Sequence, residues 1–283
     1  MKKITSTAKA EGDIAQKKIN PDKSFSPKTG SLYKKPLTGK RVIHLKERSF
    51  RMLKKDLILK NPLMSIGDNG EDILPKSGFG AVLARAGVGK TSLLVQLALF
   101  NQLKGKNVLH ISLNDPVAKV SVWYDEVFRN IADQYGVKHV NRLWESILPH
   151  RFIMTFKASG FNIPQFEERI NDLSEQDIFL PQLVIIDGLS FDKPIQSMIS
   201  ELKTLASNKE MAIWFTVQTH RHESTGTGEL PVQLKDMSDL FNVIIQLQPV
   251  DKEVHLKVLK SPGKLKSDPE LILDPSTMLV KNK

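Results

Sequence analysis

An α/β fold with a mostly parallel twisted sheet flanked by helices is predicted by three observations on this sequence. Short apolar, β-branched runs alternate with helix-forming segments between about residue 79 and residue 248, which is typical of a parallel sheet covered on both faces. A glycine-rich turn joins the first of these runs to the first helical segment. After residue 250, short apolar runs separated by a Pro-Gly turn predict antiparallel strands near the C-terminus.

The sequence divides into a basic N-terminal arm, residues 1–60, and a domain at residues 61–283. The arm contains 17 Lys and Arg against 5 Asp and Glu, a net charge of +12, whereas the remaining residues contain 24 against 26. Residues 1–40 hold few large apolar side chains and are predicted to be disordered. Residues 41–59 have the composition of a basic amphipathic helix, which can dock on the core, a neighbouring subunit or nucleic acid. A solvated tail and a DNA-binding arm both fit this charge.

The elements of the domain are predicted from apolar runs and the turn residues that bound them. Residues 61–76 contain two prolines and two glycines and are a predicted loop. Strands are predicted at Phe79–Ala84 and at residues 107–113, 151–156, 182–187, 211–217 and 242–248, helices at residues 91–103, 116–135, 163–173 and 194–207, and short C-terminal strands at residues 254–260, 270–273 and 277–280.

Composition excludes several classes of protein and site. There are no cysteines, which excludes disulfides, thiolate zinc sites and a cysteine nucleophile. There is no run of about 18 apolar residues, and the first residues lack the apolar core of a signal peptide. We therefore expect a cytoplasmic protein without a membrane partner.

The turn after the first predicted strand has the pattern of a phosphate-binding loop. Residues 84–91 read Ala-Arg-Ala-Gly-Val-Gly-Lys-Thr, and the pattern is a glycine and four residues followed by Gly-Lys-Ser/Thr, with Ala84 replacing the first glycine. Backbone N–H groups in such a loop, with the N-terminus of the next helix, bind phosphate oxygens. The pattern predicts an ATP site in which Lys90 meets the β- and γ-phosphates and Thr91 ligates Mg²⁺. The predicted cofactor-binding residues are Ala86, Gly87, Val88, Gly89, Lys90, Thr91 and Ser92.

A second chemical landmark is the run Leu-Val-Ile-Ile-Asp at residues 183–187. Many buried strands end in an aspartate, so the run alone indicates little. About 100 residues after a phosphate-binding loop, however, a strand of this kind is expected beside the loop, with its carboxylate holding Mg²⁺ through water. Asp187 is therefore a predicted metal-site residue together with Thr91.

These motifs resemble a RecA-like ATPase domain, of the DnaB helicase, KaiC and RepA branch, over about residues 62 to 275. The matching pieces are residues 84–91, 108–113, 183–187 and 213–218, the last reading Ile-Trp-Phe-Thr-Val-Gln. Gly188 follows Asp187, whereas AAA+ nucleotidases place a catalytic glutamate there and RecA-like enzymes keep it elsewhere. The resemblance implies Mg-ATP hydrolysis and a homo-oligomer such as a hexamer.

The resemblance also implies roles for residues outside the loop. Gln218 corresponds to a glutamine that senses the γ-phosphate or couples it to DNA, although a glutamine at a strand end is usually a surface residue. The segment 219–228 resembles a mobile loop that meets nucleic acid, and a solvated loop describes it equally well. Lys257 and Lys260 resemble basic residues that reach the ATP of a neighbouring subunit, or they solvate a turn.

One position departs from the family pattern. The second core strand of this branch ends in Ser-Leu-Glu, and here residues 112–114 are Ser-Leu-Asn. Asn114 can bind a water but cannot accept its proton at neutral pH. Asp115 replaces the glutamate only if the chain turns there, as Pro116 allows.

Two functions follow from these residues. In the first, Lys90, Asp115 and Gln218 support slow ATP hydrolysis, and the protein acts with DNA in replication, recombination or mobile-element maintenance. In the second, it is a KaiC-like regulatory switch that binds ATP, hydrolyses little and acts on a protein partner. A small-molecule kinase is disfavoured because the sequence has no arginine-rich lid segment.

Overall fold

The computed structural model describes residues 39–67, 72–192, 194–219, 230–261, 263 and 270–283, with backbone alone for residues 39–46. Backbone contacts separate Met1–His44 from Leu45–Lys283, and all described elements except the first turns of one helix belong to the second unit. The predicted disorder of residues 1–40 falls almost wholly outside the described residues, as does most of the predicted nucleic-acid loop at residues 219–228.

Helices and strands alternate along most of the described chain. The helices are α1 (Gly39–Leu59), α2 (Lys90–Leu103), α3 (Val117–Gln134), α4 (Val140–Ile147), α5 (Ile163–Glu175), α6 (Gln196–Asn208) and α7 (Val232–Lys235). The strands are β1 (Phe79–Ala84), β2 (Val108–Ser112), β3 (Arg151–Thr155), β4 (Leu183–Asp187), β5 (Ala212–Gln218), β6 (Val243–Val250), β7 (Glu253–Lys260), β8 (Leu271–Leu273) and β9 (Val280–Asn282). Short 3₁₀ helices lie at Pro62–Ser65, Leu148–His150, Ala158–Gly160 and Ser238–Leu240.

The described strands form one nine-stranded sheet in the order β3-β2-β4-β5-β1-β6-β7-β8-β9. The strands from β3 to β6 in this order pair in parallel, and β7, β8 and β9 add antiparallel pairs at one side. This arrangement confirms the predicted fold class. The carboxyl ends of β1, β2, β4 and β5 lie at one edge of the sheet, where parallel α/β folds bind their ligands.

Two hydrophobic cores cover the two faces of the sheet. Helices α2, α3 and α4 pack on one face, and helices α5 and α6 pack on the other. Residues along β1 alternate between them, because Val82 and Ala84 join the first core and Ala81 and Leu83 join the second. Strands buried on both faces explain the continuous apolar runs in the sequence.

Three features differ from the sequence prediction. Helix α4 was not predicted, because its eight residues give too short a periodic pattern to detect. Strand β9 begins at Val280 rather than residue 277, because a turn occupies the segment before it, in which the Met278 N–H bonds the Asp274 carbonyl at 2.7 Å. Strand β4 was expected beside the phosphate-binding loop, but β5 lies between β4 and β1.

The second half of helix α1 packs on the domain. Leu57 is buried, and Phe50, Leu53 and Ile58 pack against the first core. Apolar positions spaced in this way form the inner stripe of an amphipathic helix, so docking on the core is the alternative that applies to this half. Among the described residues, no helix has the length and apolar content needed to cross a membrane.

Trp214 is the largest fully buried side chain of the described chain. It lies on β5 directly opposite Gly80 on β1, and its indole ring occupies the space that a side chain on Gly80 would need. We expect Trp214→Ala to lower the free energy of unfolding by about 3–5 kcal/mol, because the cavity cannot close in a strand packed on both sides. Urea denaturation measures this value. Leu59→Ala, at a side chain that is 62% exposed, should change it by less than about 0.5 kcal/mol; equal effects would contradict the packing described.

Candidate nucleotide-binding site

The loop between β1 and α2 has the backbone geometry of an anion-binding turn. Gly89 caps the helix with φ of 110°, a left-handed conformation that glycine adopts without strain. A side chain there would also meet Leu273, with its Cβ 2.5 Å from Cδ2. Helix α2 begins at Lys90, and the N–H groups of its first turn have no partner within the helix. Glycine at position 89 therefore gives the loop its conformation without strain, and a side chain there would displace the Leu273 methyl group.

Ala84 ends β1 as a buried residue, and its carbonyl accepts hydrogen bonds from the Thr219 N–H at 3.1 Å and from the Lys90 ammonium. Lys90 Nζ lies 2.9 Å from the carbonyl oxygens of both Ala84 and Arg85. Burial lowers the pKa of Lys90, and the charge of Asp187 partly opposes that shift. The ammonium is thus held over the loop by neutral carbonyls, which phosphate oxygens can replace as acceptors.

Asp187 joins three elements at the carboxyl edge of the sheet. Its Oδ2 accepts a hydrogen bond from Thr91 Oγ1 at 2.8 Å, and its Oδ1 accepts one from Thr216 Oγ1 at 2.8 Å. The Gly188 N–H donates in turn to Thr216 Oγ1 at 2.8 Å. Thr91 stands at the start of α2, Asp187 at the end of β4 and Thr216 on β5, so the contacts bridge the strand that separates β4 from β1.

Oxygen donors of this kind suit Mg²⁺, which binds one or two carboxylates and keeps several waters beside substrate phosphates. Within the described parts of the chain, no group of three or more His, Cys, Asp or Glu side chains is placed to hold a metal ion. The Thr91 hydroxyl and the Asp187 carboxylate therefore fit an ion that phosphate oxygens and water would complete, and they do not form an all-protein metal cage.

Asn114, which stands where the resembled branch has its catalytic glutamate, lies beside Gly188, the residue after Asp187. Gly188 has φ of 96°, and a side chain on it would collide with the Asn114 amide. The Asp115 N–H bonds Ser112 Oγ at 2.9 Å, and its carboxylate forms an ion pair with Lys119 Nζ at 2.8 Å. The chain does turn before Pro116, but it brings the Asn114 amide against Gly188 and directs the Asp115 carboxylate to helix α3.

Gln218 and the two candidate lysines lie in different places. Gln218 ends β5 in register with Ala84 and is exposed, so it stands between the loop and the end of β4. Lys257 pairs with Gln246, two strands away from β1. Lys260 is further toward the amino ends of the parallel strands, where its Nζ bonds the Ser238 carbonyl at 2.9 Å. The structure brings Gln218 to the loop of its own chain and leaves both lysines away from it.

Two features of the site were missed in the sequence. Thr216 is the one hydroxyl in the apolar strand β5, and a lone polar residue in a buried strand was the available signal. The Ser92 hydroxyl donates to the Met278 carbonyl at 2.7 Å, so only the backbone N–H of Ser92 remains to meet a phosphate. No sequence signal linked Ser92 to a residue so far along the chain.

A buried histidine lies behind the site. His110, in the middle of β2, has its Nδ1 3.1 Å from the Tyr124 hydroxyl. Burial lowers the pKa of His110 to about 4; the Arg151 charge acts in the same direction and Asp187 opposes it. His110 is therefore neutral at physiological pH and serves as a hydrogen-bonding core residue.

Comparison with known protein families identifies the family of the chain. The chain matches a protein-family model described as an AAA domain over residues 47–219, which is more than half of its length. The matched region begins in α1, contains the phosphate-binding loop and Asp187, and ends one residue after Gln218. No curated protein matches the chain significantly.

The neutral His110 makes stability depend on pH. The pKa of His110 in the folded protein, about 4, lies below its ordinary value of 6.5, so the unfolded chain binds a proton first as the pH falls. The stabilisation is complete above pH 6.5 and is lost as the pH falls toward 4, at up to about 1.4 kcal/mol per pH unit. We expect His110→Leu to have a shallower loss of unfolding free energy over this range than the parent. His139→Leu, at an exposed histidine, should keep the parent slope; equal slopes for parent and His110→Leu would refute the assignment.

Proposed function

The chain belongs to the AAA-domain family of P-loop ATPases, and from this premise we propose that it is a RecA-like Mg-ATPase of slow turnover that acts with DNA. The observation that carries the proposal is the convergence of the phosphate-binding loop, the Thr91–Asp187–Thr216 hydrogen bonds and Gln218 on one edge of the sheet. The absence of a glutamate after Asp187, where Gly188 stands, favours the RecA-like branch.

Each residue of this edge has a task in phosphoryl transfer. Backbone N–H groups of residues 86–92 bind the phosphates, and Lys90 exchanges its carbonyl acceptors for β- and γ-phosphate oxygens. Thr91 and Asp187 orient Mg²⁺, which neutralises charge on the phosphates when bound. Gln218, exposed beside the loop, is placed to sense the terminal phosphate. A homo-oligomer would bring Lys257 and Lys260, which lie away from their own loop, to the ATP of a neighbouring copy.

Slow turnover follows from Asn114, the residue that lies against Gly188, next to the proposed magnesium residue Asp187. The Asn114 amide, packed against Gly188, can hold an attacking water but cannot take its proton. The nearest carboxylate along the chain, Asp115, is paired with Lys119 at 2.8 Å, which directs it away from the edge. The loss of a general base costs about 10²–10⁴ in rate.

DNA as a partner is supported by a cationic cluster at the other edge of the sheet. Lys54 Nζ and Arg142 Cζ lie 5.5 Å and 4.8 Å from the centre of the Phe50 ring, between α1 and α4. Burial lowers the pKa of Lys54, and burial and the Lys54 charge lower the pKa of His150. Among the described residues, neither Lys54 nor Arg142 has an ion-paired carboxylate. Two cations without an ion-paired carboxylate favour contact with phosphates, and Lys54 belongs to the +12 arm.

The second candidate function is an ATP-dependent switch of KaiC-like logic, whose partner is a protein. Asn114 favours it, because ATP bound without an effective base remains bound long enough to hold one conformation. The two candidates share the nucleotide site and differ in turnover and partner.

Restoring the carboxylate tests the role of position 114. We expect Asn114→Glu to raise ATP turnover by about 100-fold or more, because the added carboxylate lies against Gly188, next to Asp187, and can accept the proton of water. Asn114→Gln has the same length without the charge and should show no gain. A single-turnover assay with Mg-ATP measures both. Asp115→Asn then separates the candidates: a further loss of the parent rate indicates slow turnover through Asp115, and an unchanged rate removes Asp115 from the mechanism.

Removal of positive charge tests the DNA partner. We expect Lys54→Ala/Arg142→Ala to weaken DNA binding and to reduce the slope of log affinity against log salt by about 0.7–0.9 per lost phosphate contact. Lys76→Ala/Lys209→Ala removes the same charge elsewhere and is the matched control. Fluorescence anisotropy with single-stranded and duplex DNA gives both values. If neither binding nor ATP turnover responds to either DNA, the DNA proposal fails and the switch remains.

A further inference from the structure

We propose that the β8–β9 hairpin, residues 271–282, is a positioning element of the nucleotide site and acts through Gln96 and Ser92 on helix α2. The inference rests on the proposed ATP binding and adds residues that no phosphate-binding motif contains. The hairpin holds the first turns of α2, and with them the N–H groups that meet the phosphates, in the geometry that binding needs.

Gln96 joins the helix to the end of the hairpin turn and to the first residue of β9. Its Nε2 donates to the Met278 carbonyl at 2.8 Å, and its Oε1 accepts from the Val280 N–H at 2.8 Å. The Ser92 hydroxyl donates to the same Met278 carbonyl at 2.7 Å. Three hydrogen bonds thus connect two successive turns of α2 to two residues of the hairpin.

These polar side chains are inside the protein. Ser92 is 0% exposed and Gln96 is 5% exposed, in a helix that is otherwise buried and apolar along most of its length. A buried amide left without partners is costly, so the helix and the hairpin must keep their relative positions for both groups to be satisfied. A register change of either element breaks the contacts together.

The hairpin also reaches the loop directly. Leu273, the last residue of β8, fills the space beside the Gly89 Cα. The turn that follows is closed by the Asp274–Lys281 ion pair at 2.8 Å, and the Asn130 amide on α3 donates to the Thr277 carbonyl at 2.8 Å. The hairpin is therefore itself held in place. In the sheet it lies on the β6 side of β1, opposite to β5, and it supports the loop from that side.

Coupling of this kind is reciprocal. If the hairpin stabilises the binding geometry, bound nucleotide must stabilise the hairpin by the same free energy. The Val280 N–H, bonded to Gln96, reports this effect by hydrogen exchange. Because a ligand of the folded state slows every amide that exchanges through global unfolding, the positioning role requires that exchange at Val280 slow more than exchange at the buried Ile213 N–H on β5, which bonds the Gly78 carbonyl.

The test uses the full chain and a non-hydrolysable Mg-ATP analogue. We expect Gln96→Met, which keeps the length and removes the polar atoms, to weaken binding of the analogue by about tenfold or more in calorimetry well below the unfolding temperature. Asn101→Ala is the matched control on α2, because within the described chain its amide bonds the Leu97 carbonyl of its own helix at 2.8 Å; it should bind as the parent does. In the parent, the analogue should slow exchange at Val280 more than at Ile213.

The outcomes separate this inference from the proposed function. A parent that binds no analogue overturns the proposed function. A parent that binds, together with a folded Gln96→Met of parental affinity or with Val280 exchange slowed no more than Ile213 exchange, overturns the positioning role alone. If Gln96→Met does not fold, Leu273→Val, which shortens the side chain beside Gly89 by one CH₂ group, takes its place: weakened binding supports the role, and parental affinity overturns it.

Discussion

The architecture of the site depends on one carboxylate that accepts two hydroxyl hydrogen bonds. Asp187 ends a strand that is not adjacent to the phosphate-binding strand, and the bonds from Thr91 and Thr216 join its carboxylate to α2 and to β5. Each bond to a charged acceptor is stronger than a bond between neutral groups. Because β5 lies between, Thr216 is both the spacer and the second partner, and the end of this strand brings Gln218 to the same edge. The intervening strand β5 thus places the Gln218 side chain between Asp187 and the phosphate-binding loop.

The two edges of the sheet carry different chemistry. The carboxyl edge holds the loop, the Thr91–Asp187 pair and an exposed glutamine, whereas the amino edge holds His150, immediately before β3, whose pKa is lowered by burial and by the charge of Lys54. Any influence of a polyanion on nucleotide turnover has to cross strands of five to eight residues, about 17–27 Å at 3.3–3.4 Å per residue. Such an influence would pass through the cores on the two faces of the sheet, since close-packed interiors transmit strain.

Much of this could be read from the sequence, for reasons that differ between elements. The strands were predictable because burial on both faces leaves long apolar runs. The loop was predictable because its backbone needs positive φ at Gly87 and Gly89, which glycine adopts without strain. Asn114 was recognised as a departure, but the sequence could not show that its amide packs against Gly188 while Asp115 pairs with Lys119. Helix α4 escaped because two turns give too little periodicity. Thr216 and Gln96 escaped because their partners are set by strand order and by a distant turn, which no local pattern encodes.

The bracing of the loop by the hairpin has a consequence for the order of synthesis. Gln96 and its partner Val280 are 184 residues apart, so at about 5–20 residues per second the ribosome releases the loop some 10–40 s before its brace. During that interval, Ser92 and Gln96 of helix α2 are without their partners Met278 and Val280 in the hairpin. The first turns of α2 therefore gain this support only after β8 and β9 have been synthesised and have joined the sheet.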